Sequence, residues 1–221
     1  VGPEERDALR AGTFGVGELI LLAMEHRPAT LLVGVGGSAT TDGGAGMARA
    51  LGARLLDAAG DDLEPGGGAL TRLDRIEWRK RPGAIAGVDV VVATDVTNPL
   101  TGANGAAFVF GPQKGATQEQ CATLDAALAH FAAVVRRDLG VDVEHLPGGG
   151  AAGGLAAGLV AFLGARVESG FDVVSAATNL PARLAARKGS SPDPMRARGV
   201  SRSTASIGSR PRKCESARIA A

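Results

Sequence analysis

Tyrosine is absent from this 221-residue chain, Trp78 is its one tryptophan, and aromatic residues together make up 3%. So few rings exclude an aromatic stacking platform for single-stranded nucleic acid. Two cysteines, Cys121 and Cys214, are too few for a disulfide framework or a thiolate metal cluster, and a reducing cytoplasm is the simplest home. His26 and His145 show no partner at a metal-ligand spacing, so they read as structural. No apolar run reaches membrane-spanning length and no charged-then-apolar leader opens the chain. The first residue is Val1 rather than Met, so the start of this sequence need not be the start of a natural protein.

What the chain has in quantity is glycine, 33 residues of it, within an ordinary 45% hydrophobic content. Together with Ala, Val and Leu this composition favours an α/β scaffold, and the length suits one large domain or two small ones. The net charge of +1 conceals an asymmetry. From Arg187 onward nine Lys or Arg face only Asp193 and Glu215, a balance of +7 that leaves −6 for residues 1–186. The body is acidic and the tail basic.

The chain is organised around Thr30 to Gly46, TLLVGVGGSATTDGGAG. Leu31, Leu32, Val33 and Val35 suit a buried parallel strand, and Met47 to Leu51 continues as a helix once the glycines stop. Gly36, Gly37, Gly43, Gly44 and Gly46 carry no Cβ to hold the backbone away from a ligand. Backbone N–H groups at the start of the helix make a seat for phosphate or carboxylate oxygens. Ser38, Thr40 and Thr41 add hydroxyl donors, and Asp42 suits a metal ion or a substrate hydroxyl. The same glycines would equally serve a turn that only packs helix on strand. Neither the Gly-Lys-Ser/Thr phosphate loop nor the dinucleotide pattern is present.

Elsewhere the sequence predicts a short helix over 4–11, a turn at Thr13–Gly17, and a helix from Glu18 to His26 with Leu19, Leu22 and Ala23 on its apolar face. Arg54 to Asp57, before Gly60, reads as a hairpin-like excursion, and Glu64 to Leu70 as a connection. A second strand, Val88 to Ala93, ends at Thr94-Asp95, where parallel sheets present their ligands, so Asp95 is a candidate catalytic or metal-binding carboxylate. An Asp that closes the turn through Asn98 and Pro99 is the plainer reading. Beyond it Lys114 could offer a point charge to phosphoryl oxygens. Residues 117–139 form a helix opened by a Thr117/Gln120 capping box, with Leu124, Leu128, Phe131, Val135 and Leu139 on one face. Cys121 and His130 on that helix read as packing or surface. A third glycine-rich stretch, Gly148, Gly149, Gly150, Gly153 and Gly154, leads into a helix over Leu155–Leu163.

These stretches resemble the bacterial-type glycerate kinase family, of the glycerate 2-kinase kind. The resemblance rests on TFGVGEL at 13–19, GVGGSATTDGGAGMARALG at 34–52, ATDVTNPLTGANGAAFVFGPQKGAT at 93–117 and PGGGAAGGLAAGLVAFLGA at 147–165. It implies part of a two-domain α/β fold, with a parallel or mixed sheet and flanking helices, that transfers the γ-phosphoryl group of ATP to D-glycerate with Mg²⁺, giving 2-phosphoglycerate. The implied substrate and phosphate cradle is Gly36, Gly37, Ser38, Thr40, Gly43, Gly44 and Asn98, completed by Gly148, Gly149, Gly150 and Gly153. Asp42 or Asp95 would hold Mg²⁺ or act as general base, and Lys114 would neutralise phosphate charge. The family's Asp-Ser-Phe-Lys-Gly and Thr-Gly-Glu-Gly motifs find no match in the sequence. The expectation is therefore an incomplete kinase-like region over 1–186. A basic, unpacked tail follows over 187–221, whose change of composition fits translation in a shifted frame. An inactive remnant, or a small-anion or nucleotide-binding module that keeps the fold, is the alternative. Neither a membrane nor a nucleic acid partner is expected, because the body supplies no basic face or aromatic platform for the latter.

Overall fold

A computed structural model describes residues 6–78, 83, 85–188 and 217–220. Its centre is a four-stranded, wholly parallel sheet in the order β5-β4-β1-β6, built from β1 (Thr30–Gly34), β4 (Asp89–Ala93), β5 (Arg166–Glu168) and β6 (Ala217–Ala220). In β1, Leu31 and Val33 are fully buried, and in β4 Val90, Val91 and Val92 are all buried. Such near-continuous apolar runs are what a parallel strand covered on both faces requires. A separate antiparallel pair joins β2 (Arg54–Leu56) to β3 (Arg75–Glu77), and the excursion predicted after Arg54 turns back on itself, with Leu56 bridged antiparallel to Asp62.

The predicted helix over 117–139 is α4 (Gln118–Leu139), and its capping box is complete: Thr117 Oγ1 accepts from Gln120 N while Gln120 Oε1 accepts from Thr117 N. Leu124, Leu128, Phe131 and Val135 are buried along one face, where Phe131 stacks on Phe162 of α5 (Leu155–Leu163). Cys121 is buried in the same helix, and His130 Nε2 lies 2.6 Å from the Leu73 carbonyl oxygen, so both serve packing.

Two predicted segments differ. Residues 8–10 form a turn instead of a helix, because the Asp7 carboxylate accepts from the N–H groups of Leu9 and Arg10; residues 4 and 5 of that segment lie outside the described residues. The next helix, α1 (Phe14–Met24), starts four residues earlier than predicted and buries Gly17, Ile20, Ala23 and Met24, leaving Leu19 and Leu22 exposed. The cause is α2 (Ala45–Ala50), which crosses α1 so closely that a Cβ on Gly17 would lie 2.5 Å from Ala50 Cβ and 2.6 Å from the Met47 carbonyl oxygen. Glycine is the residue that permits this crossing, and it fixes which face turns inward.

The segment Ala106–Phe110 is a short helix, α3. A second unit contains α6 (Gly170–Ala177) from Phe171 onward and α7 (Leu180–Lys188). The predicted boundary at 186/187 falls within α7, and residues 189–216 of the basic tail, Cys214 among them, lie outside the described residues. No helix among the described residues is long and apolar enough to cross a membrane.

Candidate functional site

Because all four strands run the same way, the loops after β1, β4 and β5 leave one edge of the sheet, the carboxyl edge where parallel sheets bind ligands. The chain continues this alignment past the strands, as Val35 N donates to the Ala93 carbonyl and Thr94 N to that of Glu168. At the ends of β4 and β5 this edge opens into a cleft of about 510 Å³, lined on its polar side by Thr94, Asp95, Thr97, Glu168 and Ser169. Leu146, Val160 and Val167 supply the apolar wall, and Gly148 closes one side. Asp95 is exposed, and Ser169 Oγ donates to its Oδ1 at 3.4 Å. Gly148 has φ +78°, and a Cβ there would lie 3.2 Å from both Thr94 Cγ2 and the Val96 carbonyl oxygen.

Of the predicted residues, Asp95 and Gly148 line this cleft. The loop Gly36–Thr40 leaves the adjacent strand and forms a second lip of the same edge. Glu168 and Ser169 are additions that sequence reasoning missed, since a three-residue strand with a charge at either end carries no periodicity to mark it.

The glycines separate into two kinds by what a side chain would meet. At Gly36 and Gly37 a Cβ meets nothing within 4 Å, and Gly37 has φ +64°. Both are exposed, so their backbone is open to an approaching ligand. At Gly153, with φ +68°, a Cβ would be 1.9 Å from the Thr40 carbonyl oxygen; at Gly150 it would be 2.3 Å from that of Pro99. Gly43 would strike Phe131 at 2.9 Å, Gly44 would meet Gly158 Cα at 3.1 Å, and Gly149 the Leu146 carbonyl oxygen at 2.9 Å. These are glycines of close packing. The stretch from 148 to 154 thus builds the site from behind: Gly43 N donates to the Gly153 carbonyl at 3.1 Å and Gly150 N to the Asn98 carbonyl at 3.0 Å. The Asn98 side chain donates to the Asn104 carbonyl at 2.9 Å, which folds its own loop.

Asp42 is wholly buried. Its Oδ2 accepts from Thr13 N at 2.8 Å, Thr13 Oγ1 at 2.9 Å and Gly46 N at 3.0 Å, while Oδ1 accepts from Gly44 N at 3.1 Å. Thr13 Oγ1 in turn accepts from Met47 N at 2.9 Å. A cation at this carboxylate would have to displace those donors, and what the arrangement does is pin the start of α1 to the start of α2. Thr41 is also fully buried, and its hydroxyl has no hydrogen-bond partner among the described residues. Lys114 lies inside as well, 3% exposed, with Nζ donating to the Thr40 carbonyl at 2.6 Å. Burial pushes its ammonium down to about 8, an effect that the nearby Asp42 carboxylate opposes. Ser38 and Thr40 are half-buried on the exposed side of this loop. No group of three or more His, Cys, Asp or Glu among the described residues could by itself hold a metal ion.

Known proteins are similar to this chain over most of its length. The pattern of the Glycerate kinase family matches residues 1–188. Glycerate 2-kinase of Escherichia coli (strain K12) is 49% identical over 180 residues, which are 81% of this chain and 47% of that protein. Glycerate kinase of Halalkalibacterium halodurans is 48% identical over 179 residues, again 81% of this chain and 47% of the relative. A crystal structure assigned to glycerate kinase 2 of Salmonella typhimurium LT2 superposes with a TM-score of 0.80 at 50% identity, covering 84% of this chain and 50% of that one. The chain spans about half the length of the relatives it matches.

Proposed function

Since this chain belongs to the glycerate kinase family, we propose that it serves the ATP-dependent phosphorylation of D-glycerate to 2-phosphoglycerate, with its reacting groups at the carboxyl edge of the sheet. The observation that carries this reading is the pairing of two unlike features on adjacent strands. One is a glycine loop with an open backbone at Gly36 and Gly37; the other is a cleft with an exposed carboxylate at Asp95. Phosphoryl transfer asks little covalent chemistry of the protein. It asks for anion-binding N–H groups, alignment of the acceptor hydroxyl, and neutralisation of developing charge.

In this reading the Gly36–Thr40 loop, with the hydroxyls of Ser38 and Thr40, binds carboxylate or phosphate oxygens through N–H and O–H donors. Asp95 accepts the proton of the glycerate hydroxyl or orients it, and Ser169 steadies that carboxylate. The oxygen-only lining of Thr94, Asp95, Thr97, Glu168 and Ser169 suits Mg²⁺, a hard cation held by one or two carboxylates together with nucleotide phosphates. Mg²⁺ bound there would neutralise phosphate charge. Asp42 and Lys114 work one layer back, holding the loop that touches the substrate.

The test is a coupled assay of ADP release by the protein with Mg-ATP and D-glycerate. ADP release that depends on D-glycerate supports the reading. D-Glycerate binding in a calorimeter without ADP release would instead favour a small-anion-binding module. ATP hydrolysis indifferent to D-glycerate would contradict the assigned substrate.

A further inference from the structure

Two stretches far from it in sequence converge on one backbone oxygen, the carbonyl of Thr40. Lys114, at the end of the turn Pro112–Lys114, reaches it with Nζ at 2.6 Å. Gly153 packs so tightly against it that a Cβ would lie 1.9 Å from the oxygen and 2.8 Å from Nζ. The loop that carries Thr40 is the one whose outer residues, Gly36 and Gly37, face open space. Thr40 is thus the hinge between the exposed half of this loop and the buried half, Thr41 to Gly44.

Burying an ammonium for a single neutral acceptor is expensive, because among the described residues two of its three N–H groups are left without an acceptor. The Thr40 carbonyl is the one hydrogen-bond partner of Nζ among the described residues. The Asp42 carboxylate, already occupied by its four donors, contributes attraction at a distance rather than a hydrogen bond to Nζ. An apolar side chain of similar length would fill the space at less cost to stability. A lysine here therefore does something that packing alone does not.

We propose that Lys114 is a positioning residue: by fixing the Thr40 carbonyl against Gly153 it anchors the end of the Gly36–Thr40 loop, so that the loop is held in one arrangement for an anion. A Thr40 carbonyl held inward obliges the N–H of Thr41, the other half of the same planar, trans peptide unit, to point the opposite way. With its last residue anchored at this peptide the loop has less freedom to turn, and it meets its ligand already ordered. The inference rests on the reading that this loop binds a substrate anion, although the order it imposes on the loop is measurable without any ligand.

The experiment compares the wild-type protein with Lys114→Met, which keeps length and apolar volume but donates nothing. Backbone amide hydrogen exchange is expected to quicken at least tenfold over residues 38–44 in the variant, while amides of β1, β4 and α4 keep their protection. D-Glycerate affinity, measured by calorimetry, is expected to fall at least tenfold. Unchanged exchange over 38–44 in a folded variant would overturn the proposal. If wild-type protein fails to bind D-glycerate, the functional reading falls while the exchange result still decides the role of Lys114. Should Lys114→Met not fold, NMR of wild-type protein gives the answer directly. A through-hydrogen-bond coupling between Lys114 Nζ and the Thr40 carbonyl carbon is expected, and its absence would overturn the proposal.

Discussion

Replacing Gly153 and Gly36 by alanine, one at a time, separates the glycines that build the site from those that touch a ligand. At Gly153 the new Cβ is placed 1.9 Å from the Thr40 carbonyl oxygen, where ordinary contact begins at 3.4 Å, so the loop must retreat by roughly 1.5 Å. That retreat breaks the Lys114–Thr40 hydrogen bond, worth about 1.5–3 kcal/mol as a bond from a charged donor. It also strains the Gly43–Gly153 bond, worth about 1 kcal/mol. Alanine at φ +68° adds about 1 kcal/mol of backbone cost. The expected loss is about 3–5 kcal/mol, which for a chain of this size lowers Tm by roughly 10 °C. At Gly36 the Cβ meets nothing within 4 Å and φ lies outside the left-handed region, so stability should stay within about 0.5 kcal/mol. The methyl group would nonetheless stand where a phosphate or carboxylate approaches, and D-glycerate-dependent turnover should fall by about 10²-fold, the scale of a misplaced reactant. Urea unfolding and the coupled ADP assay on the same samples read both effects. A Gly36→Ala protein with full turnover, or a Gly153→Ala protein of unaltered stability, would refute the division.

Asp95→Asn should leave unfolding within about 0.5 kcal/mol, because the side chain is exposed, while turnover falls by about 10²–10⁴-fold if this carboxylate acts as the base. Asp42→Asn should do the reverse: an amide nitrogen cannot accept from the buried donors of Thr13, Gly44 and Gly46, and a loss of about 2–4 kcal/mol is expected by thermal unfolding. An Asp42→Asn protein with wild-type Tm and abolished turnover would place that carboxylate on the ligand instead. The pH dependence of stability follows from Lys114, whose ammonium is lowered from 10.5 to about 8 by folding. Between those values the unfolded chain binds the proton more tightly than the native one, so stability rises with pH. The penalty is fully present below pH 8 and gone above 10.5, a gain of about 3 kcal/mol across the window. Urea unfolding of the wild type at pH 7.5 and 10.5 should show that gain relative to Lys114→Met, and parallel curves for the two proteins would contradict it.

How much of this was legible in the sequence depends on whether a residue's job is local. The helix α4 could be read because its signals are carried on its own surface: Thr117 and Gln120 close the cap, and Leu124, Leu128, Phe131 and Val135 repeat on one face. Both central strands are apolar runs bounded by glycine or aspartate, and they are found as predicted. The helix α1 offered no such contrast. FGVGELILLAM is apolar nearly all round, and the face that turns inward is selected by the approach of α2 at Gly17. Sequence therefore favoured Leu19 and Leu22, whereas Ile20 and Met24 are the residues buried.

The site shows the same limit. Its glycine loops and the carboxylate at the end of β4 stand out in the sequence, since a loop's composition and a strand's end are local facts. Which glycines face a ligand, and which face a carbonyl far away in the sequence, is decided by tertiary approach. Gly36 and Gly153 are indistinguishable as letters. Asp42 and Lys114 read as chemistry because both are charged residues among glycines. Their burial, and the partners that occupy them, come from elements that the sequence does not place side by side. Glu168 and Ser169 come to the cleft only because β5 pairs with β4 in register with Ala93.

The most direct test is to titrate ¹⁵N-labelled protein with D-glycerate and map the amide shifts. The account predicts shifts concentrated at Gly36–Thr40 and at the cleft residues Asp95, Val96, Thr97, Gly148 and Ser169, together at the carboxyl edge of the sheet. Shifts confined to another face, for example the cavity beside Arg10, Glu64 and Arg72, would contradict the claim that this edge is where the substrate binds.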